Sequence, residues 1–398
     1  MNKTLSINQR NFVLNSMAKL VEQNRQVILD ANKMDIESFA LDDKAMYDRL
    51  IVNDSKIDGM IESLEQLESQ EDPVGKEIFQ FIHENGMKIT NKTAAFGTVM
   101  IIYESRPDVT VEAGGIAFKA GNKIILKGGK EAINSNLAIV NLWHRALKEN
   151  DLNKDWVEYL NYNRQETQEF LKKPTQKIDL IVPRGGEKLI TFVKENTTCP
   201  VIVSGRGNNF VYVHHEADLD KALDIIVNAK TAKISACNAL DKVLIDSNLP
   251  DFDNFMSQLI GKLKTHNVAI LGDEIIAKMD GVIPIPNEKT WYEEFLDYKI
   301  VIDTSSNLEN AIIKINKYSG GHSAVIITED KKIANKFLES VDSAAVYHNA
   351  STRFTDGFQF GLGGELAIST DKLHHRGPMG MQHLVTNKWY ILGDGQIR

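Results

Sequence analysis

From residue 96 onward, short β-rich runs alternate with helical patterns, and this alternation limits the fold more than any other feature of the chain. Strand, crossover helix and strand in repeated order build a mostly parallel sheet with helices on both faces. Residues 97–103, 123–127, 178–182, 201–204 and 211–214 read as strands, with helices over 132–148, 187–195 and 219–230. A second series follows: a strand at 243–245, an amphipathic helix around 252–263, and strands at 299–302, 324–327 and 344–347. Ahead of both, Val13, Met17, Leu20 and Val21 share one face of a helical pattern, which makes the N-terminal stretch a packing layer. A chain of 398 residues is long enough for two or three domains.

The 46 basic and 54 acidic residues are interspersed and sum to a net charge of -8, so nothing advertises a nucleic-acid partner. No apolar run approaches the about 18 residues of a membrane span, and residues 1–10 lack a basic start followed by an apolar core. A soluble, cytoplasmic protein without a membrane partner is expected. Two cysteines, Cys199 and Cys237, are too few for a disulfide framework. No metal site is expected: His214-His215 and His374-His375 lack the i, i+4 spacing of a helical ligand pair and read as exposed surface.

Two turns suit a nucleotide, because a glycine pair at the end of a strand lets backbone N–H groups and a helix N-terminus meet phosphate. One is Lys127-Gly128-Gly129-Lys130 and the other Arg184-Gly185-Gly186. A plain turn is the competing reading of each. Gly205-Arg-Gly207 opens like a dinucleotide fingerprint, but Phe210 stands where its third glycine belongs and 211–213 reads as strand, so it is rejected. Cys237 lies among Ser235, Ala236 and Ala239 between a helix and a strand. Its small neighbours leave room for a substrate, yet an inert buried cysteine is the plainer reading of that neighbourhood alone. The C-terminal third is rich in small and polar loop residues at 349–357, 360–365 and 376–380.

Several stretches together resemble the gamma-glutamyl phosphate reductase branch of the aldehyde dehydrogenase superfamily. They are Ile102-Tyr-Glu-Ser-Arg-Pro-Asp-Val-Thr110, Gly121 through Ala132, Ile178 through Gly186, Cys237-Asn-Ala-Leu240, and the tail with Asn349-Ala-Ser-Thr-Arg-Phe354 and Arg376-Gly-Pro-Met-Gly380. The resemblance spans nearly the whole chain and is most specific in the tail. It implies an α/β, aldehyde-dehydrogenase-like fold of two doubly wound α/β domains plus a small β oligomerisation element. The implied boundaries are an NADP-binding domain at 1–85 and 96–215, a catalytic domain at 216–381, and an oligomerisation element at 86–95 and 382–398. In that element residues 87–93 would form a hairpin arm and 384–397 would add a strand in a neighbouring subunit.

The same resemblance makes Cys237 the nucleophile of an NADPH-dependent reduction of gamma-glutamyl phosphate to glutamate 5-semialdehyde, through a thioester. Asn238 and Asp108 would flank the reacting carbonyl, and Arg106, Ser351 and Arg353 would bind substrate. Asp108 departs from the asparagine common in the family. So do Asn208-Asn-Phe-Val211, Asp241-Lys242 and Gln359 from their family counterparts. Lys127, Gly128, Gly129, Lys130, Arg184, Gly185, Gly186 and Glu294 would serve the cofactor. Lys130 stands where NAD-using relatives carry an acid and so favours a 2′-phosphate. Residues 200–205 carry no carboxylate, whereas oxidising relatives place a general base there. A homo-oligomer, dimer or tetramer, is implied, and a glutamate 5-kinase is left open as partner. The rivals are another aldehyde dehydrogenase or acyl-phosphate reductase, or a catalytically impaired scaffold relative.

Overall fold

Period-two alternation of buried side chains sets how each strand of the two parallel sheets meets the helices around it. The computed structural model describes residues 4–39 and 44–398. The chain divides into two compact units, one of Met1–Val203, Gly361–Ala367 and Met379–Arg398, the other of Ser204–Phe360 and Ile368–Pro378. Residues 1–3 and 40–43 of the expected N-terminal segment lie outside the described residues.

The first unit starts with four helices, α1 (Ile7–Gln23), α2 (Arg25–Glu37), α3 (Lys44–Leu50) and α4 (Asp54–Ser69). α1 starts at Ser6, whose hydroxyl accepts from the Gln9 N–H while the Gln9 side chain returns to the Ser6 N–H. A hairpin follows, β1 (Glu77–Ile82) and β2 (Lys88–Ala95), and then the alternating region: β3 (Thr98–Tyr103), α5 (Pro107–Lys119), β4 (Lys123–Lys127), α6 (Ile133–Glu149), β5 (Val157–Tyr159), α7 (Arg164–Lys172), β6 (Leu180–Arg184) and α8 (Glu187–Asn196). The four strands β3 to β6 form a parallel sheet in the order β5-β4-β3-β6. In β3, Val99 and Ile101 pack into the cluster of α1, α4, α5 and α6, and Met100 and Ile102 pack with Phe170, Leu171 and Val193 from α7 and α8. Each such fully buried aliphatic side chain contributes about 1.5–3 kcal/mol. Pro107 begins α5, where its missing N–H costs nothing.

In the second unit, seven strands form one parallel sheet in the order β10-β9-β11-β8-β7-β12-β13. They are β7 (Asn209–Val213), β8 (Leu240–Asp246), β9 (Ala269–Gly272), β10 (Val282–Pro284), β11 (Lys299–Ser305), β12 (Ser323–Ile327) and β13 (Ala345–His348). The helices are α9 (Leu219–Thr231), α10 (Phe252–Thr265), α11 (Lys289–Tyr292), α12 (Leu308–Tyr318) and α13 (Lys331–Ser340). Val211, Val243 and Ile300 face α9 and α10, while Phe210, Tyr212 and Val301 face the α12 and α13 side.

Three expectations change. The division falls at 203/204 and not at 215/216, because β7 pairs with β8 and β12 and belongs to the second sheet. The expected strand at 201–204 is reduced to isolated bridges, Ile181 with Val201 and Ser204 with Ser369. The C-terminal strand Val385–Leu392 pairs along one edge, antiparallel, with β2 of its own chain from Val385 opposite Ala95 to Leu392 opposite Lys88. The hairpin is also longer than 87–93, since β1 forms its other leg.

Candidate active site

Cys237 sits half-buried in the turn between α9 and β8, and neither cysteine forms a disulfide. Side-chain hydrogen bonds to backbone hold this turn from both sides. The Asn209 amide donates to the carbonyls of Gly207 at 2.9 Å, Cys237 at 2.8 Å and Ala239 at 2.6 Å. Gly207 lies directly against the Cys237 backbone, where any Cβ would collide with the carbonyl. That close approach explains the glycine that mimicked a dinucleotide fingerprint. On the other side, the Asn238 amide donates to Arg353 O at 3.2 Å and Thr355 O at 2.9 Å, and the Thr352 hydroxyl donates to Asn238 O at 2.7 Å.

Asn238 was expected to offer its amide to an oxyanion. Both of its amide hydrogens are committed to the 353–355 backbone, so its work is to tie the cysteine turn to the Arg353 loop. Ser351 is likewise occupied: its hydroxyl donates to Asn228 Oδ1 at 2.8 Å and accepts from the Arg353 N–H at 3.3 Å. It shapes the turn that presents Arg353. Burial pulls the Arg353 guanidinium below the ordinary arginine value, with the Cys237 and Asp356 charges pulling the other way. Its Nη1 is buried and has no hydrogen-bond partner among the described residues.

Glu294, half-buried, lies in a segment pinned by its neighbours. Asp241 Oδ2 accepts from the Phe295 N–H at 2.9 Å, Lys242 Nζ donates to Glu293 O at 2.8 Å, and Lys242 lies 3.8 Å from the Phe295 ring centre. The fully buried pair Lys230–Asp241, at 3.0 Å, completes this mount. Burial holds the Lys242 ammonium down to about 7, Asp241 pulling against it.

In the first unit, both glycine pairs sit at strand ends on either side of β3. Lys127 Nζ donates to Gly128 O at 2.7 Å, and burial lowers the Lys127 ammonium. Gly128 is wedged against Asn136 and Tyr103, so the tight turn needs a residue without a side chain. Lys130 is exposed. At the other pair, Glu104 Oε2 accepts from the Gly186 N–H at 3.1 Å and its side chain fills the space over Gly185. A carboxylate therefore already occupies the donor that was expected to meet phosphate, which leaves Lys127 and Lys130 as the stronger anion site.

Arg106 and Asp108 form an ion pair at 2.8 Å at the start of α5. Burial pushes the Asp108 carboxyl up, but the charge and hydrogen bond of Arg106 hold it below the usual carboxylate range. One turn further, burial and the Asp108 charge raise Glu112 to about 7.

The model of the aldehyde dehydrogenase family matches residues 2–276. The chain belongs to the aldehyde dehydrogenase family. A gamma-glutamyl phosphate reductase of Clostridium botulinum (strain Eklund 17B / Type B) is 42% identical over 400 residues, covering 100% of this chain and 96% of its own. The crystal structure of gamma-glutamyl phosphate reductase from Thermotoga maritima superposes with a TM-score of 0.93 at 40% identity, covering 99% of this chain and 95% of that one. An acetylating aldehyde dehydrogenase from Geobacillus thermoglucosidasius shares the fold with a TM-score of 0.70 at 18% identity, covering 99% of this chain and 93% of that one.

Within this family member the structure gathers Cys237, Asn238, Ser351 and Arg353 on one set of loops in the second unit, and Arg106, Asp108 and the glycine turns on strand ends of the first. Residue patterns missed Asn209, read only as a departure, though it holds three carbonyls around Cys237. They also missed Glu112 and the Lys230–Asp241 pair, whose roles arise from burial.

Proposed function

We propose that the chain reduces gamma-glutamyl phosphate to glutamate 5-semialdehyde and phosphate with NADPH, as a step of proline biosynthesis, through a thioester on Cys237. The observation that carries this reading is a cysteine on a rigidly tied turn near an arginine whose buried Nη1 has no partner among the described residues. Full-length relatives that bear this activity in their names support it.

The Cys237 thiolate attacks the acyl carbon, a C–S bond forms, the C–O bond to phosphate breaks, and phosphate leaves. Arg353 and Arg106 are the donors suited to the carboxylate and phosphate of this dianionic substrate. A backbone N–H at Cys237 would suit the developing oxyanion, and Asp108 acts by holding Arg106 and not as a donor. The nicotinamide cofactor that the family implies supplies hydride when bound. Lys127 and Lys130 fit its phosphates, the exposed Lys130 suits a 2′-phosphate, and Glu294 suits its ribose. Residues 200–205 present no carboxylate, so no side chain there activates water against the thioester. Once the carbonyl is reduced, Cys237 departs as thiolate and the aldehyde is released.

The exposed sheet of β1, β2 and the C-terminal strand carries Phe79, Phe81, Trp389, Tyr390 and Leu392 in contact with solvent, and it is the surface for a homo-oligomer. Among the described residues no helix is long and apolar enough to cross a membrane. A cytoplasmic setting keeps both cysteines reduced, and a kinase acting on glutamate supplies the acyl phosphate. The test is to run the reaction backwards with glutamate 5-semialdehyde and NADP. Rate should rise from near zero with added inorganic phosphate; full activity without phosphate would replace this reading with that of an ordinary aldehyde dehydrogenase.

A further inference from the structure

Far from the cysteine turn, which precedes β8, the opposite end of the same strand carries a cluster that the reductase reaction does not use. His214 and His215 follow β7 and Asp246 ends β8, and one ligand atom from each lies within 4.8 Å of the other two. His214 was expected at the surface, yet it is only 4% exposed. Nothing in the spacing of two adjacent histidines points to the carboxylate, because it arrives from the neighbouring strand.

We propose that His214, His215 and Asp246 form a site for a divalent transition-metal cation of the zinc class. Two imidazoles and one carboxylate are a donor set for such ions, whereas magnesium and calcium take oxygen ligands. His215 Nδ1 and Asp246 Oδ2 are 2.9 Å apart. Ligands at about 2.1 Å from a tetrahedral ion lie about 3.4 Å from each other, so a metal can replace the proton this pair shares with little movement.

The surroundings hold the three ligands as outer partners hold a metal site. Tyr212 Oη donates to Asp246 Oδ2 at 2.9 Å, and the Asn248 N–H donates to Asp246 Oδ1 at 2.9 Å. Thr328 Oγ1 lies 3.1 Å from His214 Nδ1 and orients that ring. The charges are those a cation needs: besides Asp246, the carboxylates of Glu216 and Asp330 act on His214. Lys221 on α9 is paired with Glu329 and Asp218.

Sheet topology supports the same place independently. Strand order runs from β7 through β8 to β10 on one side, then resumes beyond β7 with β12 and β13. The crevice at the carboxyl ends of β7 and β12 is therefore the switch point of the sheet, where open α/β sheets bind ligands. His214 and Thr328 stand on its two sides. A bound ion would tie the ends of β7 and β8 together, and β12 through Thr328.

The experiment is titration of tag-free, metal-stripped protein with Co²⁺ and Zn²⁺ alone, followed by visible absorption and calorimetry. One equivalent of Co²⁺ should give the ligand-field bands of a four- or five-coordinate ion without the thiolate charge-transfer band that a cysteine ligand would add. His215→Ala, a half-exposed and safely folded change, should weaken Zn²⁺ binding at least about tenfold, the loss typical even of an outer partner. It should leave reductase turnover in metal-free buffer unchanged. Asp246→Asn should act in the same direction. No Co²⁺ bands in the wild type, or equal affinity in the His215→Ala protein, would overturn the proposal.

Discussion

The cysteine turn of the second unit and the arginine–acid cluster of the first are built on opposite principles. Around Cys237, neutral amides and hydroxyls from Asn209, Asn238 and Thr352 fix backbone carbonyls by hydrogen bonds, so the geometry does not depend on pH. Around Arg106, three titratable groups share one small volume and set each other's charge. In the proposed reaction the first region positions the nucleophile, and the second adjusts the field that the anionic substrate meets. Position and field thus become separable by mutation.

The largest separation comes from the nucleophile itself. Cys237→Ala should lower phosphate-dependent NADP reduction by at least about 10³-fold, as loss of a nucleophile does, while Cys199→Ala should leave it intact. Next, Asn209→Ala leaves three carbonyls without their donor. It should cost about 1–3 kcal/mol in unfolding experiments and lower kcat by roughly 10²-fold through misplacement of the turn. Lost stability with unchanged kcat would show that the turn holds its shape without that amide.

Glu112→Gln tests the field. The folded protein holds Glu112 at about 7 against an ordinary 4.5, so it prefers the protonated form, and stability present at low pH is lost as pH rises from the lower value through the upper. Thermal midpoints measured across that window should fall in the wild type and fall less in the variant. The smallest effect is expected from Asp108→Asn, which releases Arg106 and should shift KM a few-fold with little change in kcat. A rise in kcat of about tenfold, ~1.4 kcal/mol of barrier, would instead assign Asp108 to the reacting carbonyl.

Legibility followed locality. The runs at 123–127 and 219–230 matched observed elements because hydrophobic period and caps are short-range signals. The division between units was misplaced because the partners of β7, which are β8 and β12, are fixed by long-range pairing that its own residues do not encode. The glycine pairs were found where strands end, but Glu104 over Gly185 and Gly186 was not, since it follows a different strand, β3. Asn238 looked like an oxyanion donor until its two carbonyl partners, more than a hundred residues away, were in place. Cys237 was readable only through the family resemblance, because small neighbours alone describe an inert thiol better than a reactive one.

The most direct test of the central claim is to trap the thioester and locate it. The protein is incubated with glutamate 5-semialdehyde and NADP in the absence of phosphate, quenched in acid, digested and mapped by mass spectrometry. A glutamyl adduct on the peptide that carries Cys237, discharged when phosphate is added before the quench, is the result this account predicts. An adduct on Cys199, or rapid turnover on adding phosphate with no adduct on Cys237, would contradict it.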